Sequence, residues 1–253
     1  NWQIQGITHN DVFVLPGSPQ ATAAPFWKAE ENGRDFHFSE RIAQFLEMAE
    51  GRLDDPKFVK TLQQENFMEL RAAENLIDFL KRQREATGCP LPHRHHLVIE
   101  AVSAGPGGTP QAVIHTLWGG RVNRPLALAL SAAWQARFGY RLELHVSNDC
   151  IVLQLPHEMP GEELLSLVTS TRIESLLRTR LEGSGFFGAR FRECAGRALL
   201  LPRRKFNERM PLWLSRLRSQ KLLDAVLNYS DFPILLETWR TCMQEEFDLE
   251  SLK

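Results

Sequence analysis

The spacing of apolar residues changes period twice between His96 and Leu155, and no other feature of the chain narrows its fold so far. HLVIEAV (96–102) and AVIHTLW (112–118) have the β-branched composition of strands, and AGPGGTP (104–110) between them has the glycine and proline of a turn. Gly119-Gly120 then breaks the chain ahead of a helical stretch, 123–138, whose apolar positions include Leu126, Leu128, Ala129, Leu130 and Trp134. Period two returns at 141–146, with Leu142, Leu144 and Val146 inward and Arg141, Glu143 and His145 outward; 150–155 reads as a fourth strand. Two strand pairs around one helix spell a ββαββ unit. That unit predicts an antiparallel sheet backed by helix, and so an α+β fold.

The flanks are of a different kind. Residues 2–7 and 11–15 are short β-rich runs around His9-Asn10, which predicts a hairpin, and 16–25 is loop material. Helical spacing begins at 38–50, where Ile42, Phe45, Leu46 and Ala49 share a face and Ser39 is placed to cap it. Two further helices follow, 57–65 and 70–86, and the second ends at Thr87-Gly88 ahead of Pro90 and Pro92, a stop signal. A lobe boundary there divides the chain into an N-terminal hairpin and helical lobe, 1–88, and a sheet with a helical C-terminal part, 89–253. Beyond Pro160 the pattern is helical throughout. Thr171 followed by Glu174 spells a capping box for a helix closing at Gly183.

Several function classes are excluded on residue chemistry. At 253 residues, with 43 % hydrophobic and 24 % charged, the composition is that of a globular protein. It has no run of about 18 apolar residues and no signal peptide, which predicts a cytoplasmic protein without a membrane partner. A start at Asn1, without methionine, predicts a piece of a longer polypeptide. Cys89, Cys150, Cys194 and Cys242 lie too far apart for a CxxC zinc pair, so four reduced thiols and no metal are predicted. His93, Arg94, His95 and His96 have no acidic or cysteine partner at ligand spacing. Gly105-Pro106-Gly107-Gly108 lacks the GK[ST] of a P-loop, and no GxSxG elbow occurs. No catalytic residue is assigned.

Charge is distributed unevenly. The net charge is −1, yet residues 172–221 hold thirteen Lys and Arg against four Asp and Glu. Within GSGFFGARFRECAGRALLLPRR (183–204), Arg190, Arg192, Arg197, Arg203 and Arg204, followed by Lys205, concentrate fixed charge suited to phosphate. Two uses are open. The arginines can face a polyanion, or they can bridge to local carboxylates such as Glu174, Glu182 and Glu193. If 187–201 is helical, Arg190, Glu193 and Arg197 share one face and the glutamate can hold both guanidiniums. Gly119-Gly120 with Arg121 and Arg124 at a helix start would suit an anion, although glycine pairs there are also ordinary turn chemistry. Trp27, in PFWKAEENGR, sits among charges, either as a stacking platform or at a sheet edge.

GFFGARFRECAGRALLLPRR, MPLWLSRLRSQKLL (210–223) and DFPILLETWRTCMQEEFDL (231–249), with LWGGRVNRPLALAL (117–130) and PFWKAEENGRDFHFSERI (25–42) upstream in order, resemble the DEAD/H-associated region of the large helicase-related (Lhr) family. These blocks span nearly the whole chain. The resemblance implies a parent polypeptide in which two RecA-like motor domains and a winged helix precede this region. It implies ATP and Mg²⁺ in those motor domains, none in this chain, and 3′-to-5′ translocation on single-stranded DNA; RNA:DNA hybrid and duplex DNA are both open as the substrate unwound. It also implies that an aromatic of this module meets the tracking strand, and Trp27 is the match. The site predicted for nucleic acid is therefore Trp27, Arg121, Arg124, Arg190, Arg192, Arg197, Arg203, Arg204 and Lys205. The alternative is an intramolecular scaffold, whose basic helices dock onto the acidic segment 222–253 and onto the motor domains without touching DNA.

Overall fold

The computed structural model describes residues 2–8, 11–16, 33–103, 109–201 and 212–253. The predicted turns at His9-Asn10 and 104–108, and the site residues Trp27, Arg203, Arg204 and Lys205, lie outside the described residues. The chain forms two compact units, Asn1–Asn32 and Gly33–Lys253.

The first unit holds an antiparallel hairpin of β1 (Trp2–Ile7) and β2 (Val12–Pro16), with a register shift between Ile4 and Gly6. Thr8 and Asp11 close it: the Thr8 amide donates to the Asp11 carbonyl at 2.8 Å, and the Asp11 amide to Thr8 Oγ1 at 3.1 Å.

In the second unit, β3 (Val98–Val102), β4 (Gln111–His115), β5 (Glu143–Val146) and β6 (Ile151–Gln154) form one antiparallel sheet in the order β3-β4-β6-β5. The ββαββ reading is thereby realised, with β6 entering between β4 and β5. Period two sends Ala112, Ile114, Ile151 and Leu153 to one face. There they meet α4 (Gly120–Phe138), which is buried along most of its length because Ala127, Ala129, Ala132 and Ala133 are small enough for close approach. Trp134, fully buried, packs against the Phe138 ring at 4.3 Å. Gly139 ends α4 at φ 82, a left-handed conformation that suits glycine.

Three helices precede the sheet: α1 (Phe36–Glu50), α2 (Phe58–Glu65) and α3 (Leu70–Thr87), packed around Leu53, Phe58, Leu62, Ala73, Ile77, Leu80 and Leu91. Ser39 does not cap α1. Asp35 does, accepting from the Phe38 amide at 2.8 Å, while Ser39 is buried and donates back to the Asp35 carbonyl. Asp35 is thereby held below the usual carboxylate range, mainly by that backbone donor.

The C-terminal part contains α5 (Gly161–Ser166), a 3₁₀ turn (Ser170–Arg172), α6 (Ile173–Arg180), α7 (Gly185–Arg197), α8 (Leu212–Val226), α9 (Pro233–Arg240), a π-helical turn (Thr241–Glu246) and α10 (Leu249–Leu252). The capping box at Thr171 is not made. Thr171 falls inside the 3₁₀ turn, its hydroxyl meets that of Thr169, and Glu174 pairs instead with Lys253 at 2.6 Å. Phe187, Phe191, Ala195, Leu223, Leu235 and Cys242 form the core between α7, α8, α9 and the π turn.

Candidate nucleic-acid interface

Helix α7 carries the middle of the basic run. Ser184 caps it, accepting from the Phe187 amide at 3.1 Å. Phe187, Phe191, Cys194 and Ala195 recur at helical spacing and bury one face, which sends the arginines to its flanks and outer side.

Among the described residues the arginines do not form one surface. Arg190 pairs with Glu193 at 2.8 Å and with Glu246 at 3.2 Å, and its side chain is only 17 % exposed. Its guanidinium stands 5.5 Å from the Phe186 ring centre, and that of Arg124 stands 4.7 Å from the same ring. Phe186 in turn stacks on Phe247 at 5.2 Å. Arg121 donates to the carbonyls of Glu245 and Glu246. Arg121, Arg124 and Arg190 thus converge on the segment that follows α9, and much of their donor capacity is spent inside the protein. Arg192 is half-buried and Arg197 is exposed. Glu193 does not hold Arg197 in register with Arg190: Arg197 donates instead to Cys194 Sγ at 3.2 Å. Glu182 accepts from the Trp239 indole at 2.7 Å. Arg240 continues the same network, pairing with Glu237 and Glu245, each at 2.9 Å.

The glycine pair has a steric role. Gly119 adopts φ 85, and a Cβ there would collide with the Arg34 carbonyl and lie 2.7 Å from Ser39 Oγ. The Gly120 amide, at the start of α4, donates to Asn148 Oδ1 at 2.8 Å, and the Arg34 amide donates to the same oxygen at 2.8 Å. Arg34 spreads its guanidinium over Ser39 Oγ, the Leu117 and Asn148 carbonyls and Asp149 Oδ1, at 2.8–3.2 Å. The helix start is therefore occupied by the β5–β6 turn. Sequence reasoning missed Arg34 and Asn148, because their only local signal is that Asn148-Asp149 is a turn spelling.

Two thiols, Cys194 and Cys242, are buried; burial pushes the Cys242 thiol up to about 12. Among the described residues no group of three or more His, Cys, Asp or Glu side chains is placed to hold a metal ion. Among the same residues no helix is long and apolar enough to cross a membrane.

The family model described as DEAD/H associated matches residues 91–253. The chain is 38 % identical, over its whole length, to the Lhr helicase/probable uracil glycosylase of Mycolicibacterium smegmatis, of which it covers 17 %. It is 35 % identical over its whole length to the Lhr helicase/uracil glycosylase of Escherichia coli, covering 16 % of that protein. An archaeal relative, the ATP-dependent helicase Lhr-Core of Methanothermobacter thermautotrophicus, is 27 % identical over 98 % of this chain, which covers 28 % of it. The chain thus spans between a sixth and somewhat over a quarter of the length of these curated relatives. The solved structure of Mycobacterium smegmatis helicase Lhr bound to ssDNA and AMP-PNP superposes with a TM-score of 0.80 at 36 % identity, covering 92 % of this chain and 30 % of that one. The chain therefore belongs to the DEAD/H associated family, as the region of that name in Lhr-type helicases.

Proposed function

We propose that this chain is the accessory single-strand-binding module of an ATP-dependent DNA helicase that moves 3′ to 5′. The observation that carries this reading is its likeness, at 36 % identity, to a helicase bound to ssDNA. In the parent protein, RecA-like motor domains would bind ATP and Mg²⁺, and a winged helix would sit beside them. This module would hold the tracking strand through phosphate contacts and base stacking, while the opposing strand is displaced from DNA duplex or RNA:DNA hybrid. Neutralised phosphates release counterions, so affinity would fall steeply with salt and depend little on base sequence. Arg192, Arg197, Arg203, Arg204 and Lys205 are the candidates for phosphate, and Trp27 for a base. Arg121, Arg124 and Arg190 would act mainly by shaping the module. The test is equilibrium binding of the chain to a labelled oligothymidylate across a salt series. Salt-dependent binding supports the reading; absence of binding at low salt overturns it.

A second reading has its own observation. Arg121 and Arg190 are anchored to Glu245 and Glu246, the acidic segment onto which a scaffold would fold its basic helices. On that reading the chain joins the motor domains and never meets DNA.

A further inference from the structure

Helix α8 presents three side chains in a single row. Trp213, Leu217 and Lys221 are four residues apart, so they stand one above another along the helix. The opposite face, with Ser219, Leu223 and Val226, is buried, and Leu223 and Val226 join the core with α7. The row itself is open: Trp213 is 57 % exposed and Leu217 is 45 % exposed. Arg218 and Lys221 are exposed beside it, and neither is in an ion pair among the described residues. Asp224, the nearest acid along the helix, is engaged by Gln220 at 2.9 Å.

Trp213 and Leu217 together leave a contiguous apolar strip in water, and contiguous exposed apolar surface rimmed by polar residues marks an interaction site. The charge along the helix selects the partner. Residues 212–221 of α8 hold Arg216, Arg218 and Lys221 and no acidic residue, so the complementary ligand is a polyanion. The ring selects further, for an anion with flat apolar faces. Unpaired bases offer such faces, whereas a duplex hides them in its stack. From Trp213 to Lys221 the row runs about 12 Å at the helical rise of about 1.5 Å per residue. A stacked strand advances about 3.4 Å per nucleotide, so the row matches roughly three nucleotides.

From these observations we infer that the Trp213–Leu217–Lys221 row of α8 is a binding site for single-stranded nucleic acid. The indole stacks on an unpaired base, Leu217 packs against the sugar or the neighbouring base, and Lys221 and Arg218 take the flanking phosphates. The inference rests on the reading that the chain contacts a single strand, and it adds a location that the reading does not require.

The test is binding of the full chain to a labelled oligothymidylate over a salt series, for the unaltered protein and for Trp213→Ala, Trp213→Phe and the Arg218→Ala/Lys221→Ala pair, with the melting temperature of each. Trp213→Ala is expected to weaken binding roughly 5- to 140-fold, the range of one stacked base, with Trp213→Phe retaining most of the affinity. The double variant is expected to lower the log–log salt slope by about 1.4, which is two contacts at about 0.7 each. If the unaltered chain binds and these variants bind equally well, the α8 site is wrong and the wider reading stands. If the unaltered chain does not bind, both fall. If Trp213→Ala melts early while the folded fraction binds normally, Trp213 is a packing residue and the site is withdrawn. If the chain instead self-associates through Trp213, seen as a mass change in light scattering that Trp213→Ala removes without altering DNA affinity, the face belongs to a protein and the inference is overturned.

Discussion

The carbonyl of Arg121 accepts its hydrogen bond from the amide of Asp248, at 3.0 Å, because Pro125 has no N–H to offer it. A proline inside a helix leaves the carbonyl four residues earlier without its partner. Here that carbonyl anchors the start of the last turn, α10, to α4, and the Arg121 side chain holds the preceding carbonyls of Glu245 and Glu246. Arg190 reaches the same segment through Glu246. One helical irregularity thus fastens the C-terminal segment to the helix behind the sheet.

Arg121→Ala and Arg190→Ala are each expected to cost about 1.5–3 kcal/mol of stability, the range for hydrogen bonds to charged groups. Urea unfolding measures the loss. The folded fraction of each variant should bind single-stranded DNA like the unaltered chain; a flattened salt slope with unchanged stability would move those arginines to the DNA surface.

Gly119→Ala is expected to be far more damaging than Gly88→Ala. Both glycines have positive φ, left-handed at Gly88, where a side chain costs about 1–2 kcal/mol, and in an extended region nearly exclusive to glycine at Gly119; a Cβ at Gly88 meets nothing within 4 Å while one at Gly119 meets Arg34 and Ser39. Displacing Arg34 would also release its contacts to Leu117, Asn148 and Asp149. Thermal melting of the two variants side by side checks the ranking, and equal midpoints would contradict it.

Replacing Arg203, Arg204 and Lys205 together with alanine should lower the log–log salt slope of single-strand binding by up to about 2.1, at about 0.7 for each lost contact. Trp27→Ala should weaken binding by about 1–3 kcal/mol at an unchanged melting temperature, and Trp27→Phe should restore much of it. A large fall in melting temperature with normal affinity would make Trp27 a packing residue.

The Cys242 thiol gives a pH signature. Burial pushes it up to about 12, so the folded chain keeps the proton that the unfolded chain releases above an ordinary value of 9.0. Its contribution to stability is complete below pH 9 and is lost as pH rises through 12. Cys242→Ala should therefore show a shallower decline of stability above pH 9 than the unaltered chain. In native conditions at neutral pH, a thiol reagent should modify the half-exposed Cys89 and Cys150 well before the buried Cys194 and Cys242.

The sequence by itself determined the ββαββ unit, the helices on both sides of it and the basic run, because these rest on local periodicity and composition. Leu142, Leu144 and Val146 alternate wherever the strand is placed, and Gly88 and Gly139 stop helices through their own backbone freedom. Five blocks in one order were also enough to show the family resemblance. The helix starts were less legible: Asp35 rather than Ser39 caps α1, and Thr171 caps nothing, since several polar residues near a helix start compete for the same amides. The long-range partners of the arginines were decided by tertiary structure. Helical spacing makes the Arg190–Glu193 pair legible, but not that Arg190 also reaches Glu246, fifty-six positions away, or that Arg121 reaches the Glu245 and Glu246 carbonyls. A charge run specifies how much charge a helix carries. Which guanidinium is neutralised inside and which reaches solvent depends on the carboxylates and carbonyls that distant segments bring against it.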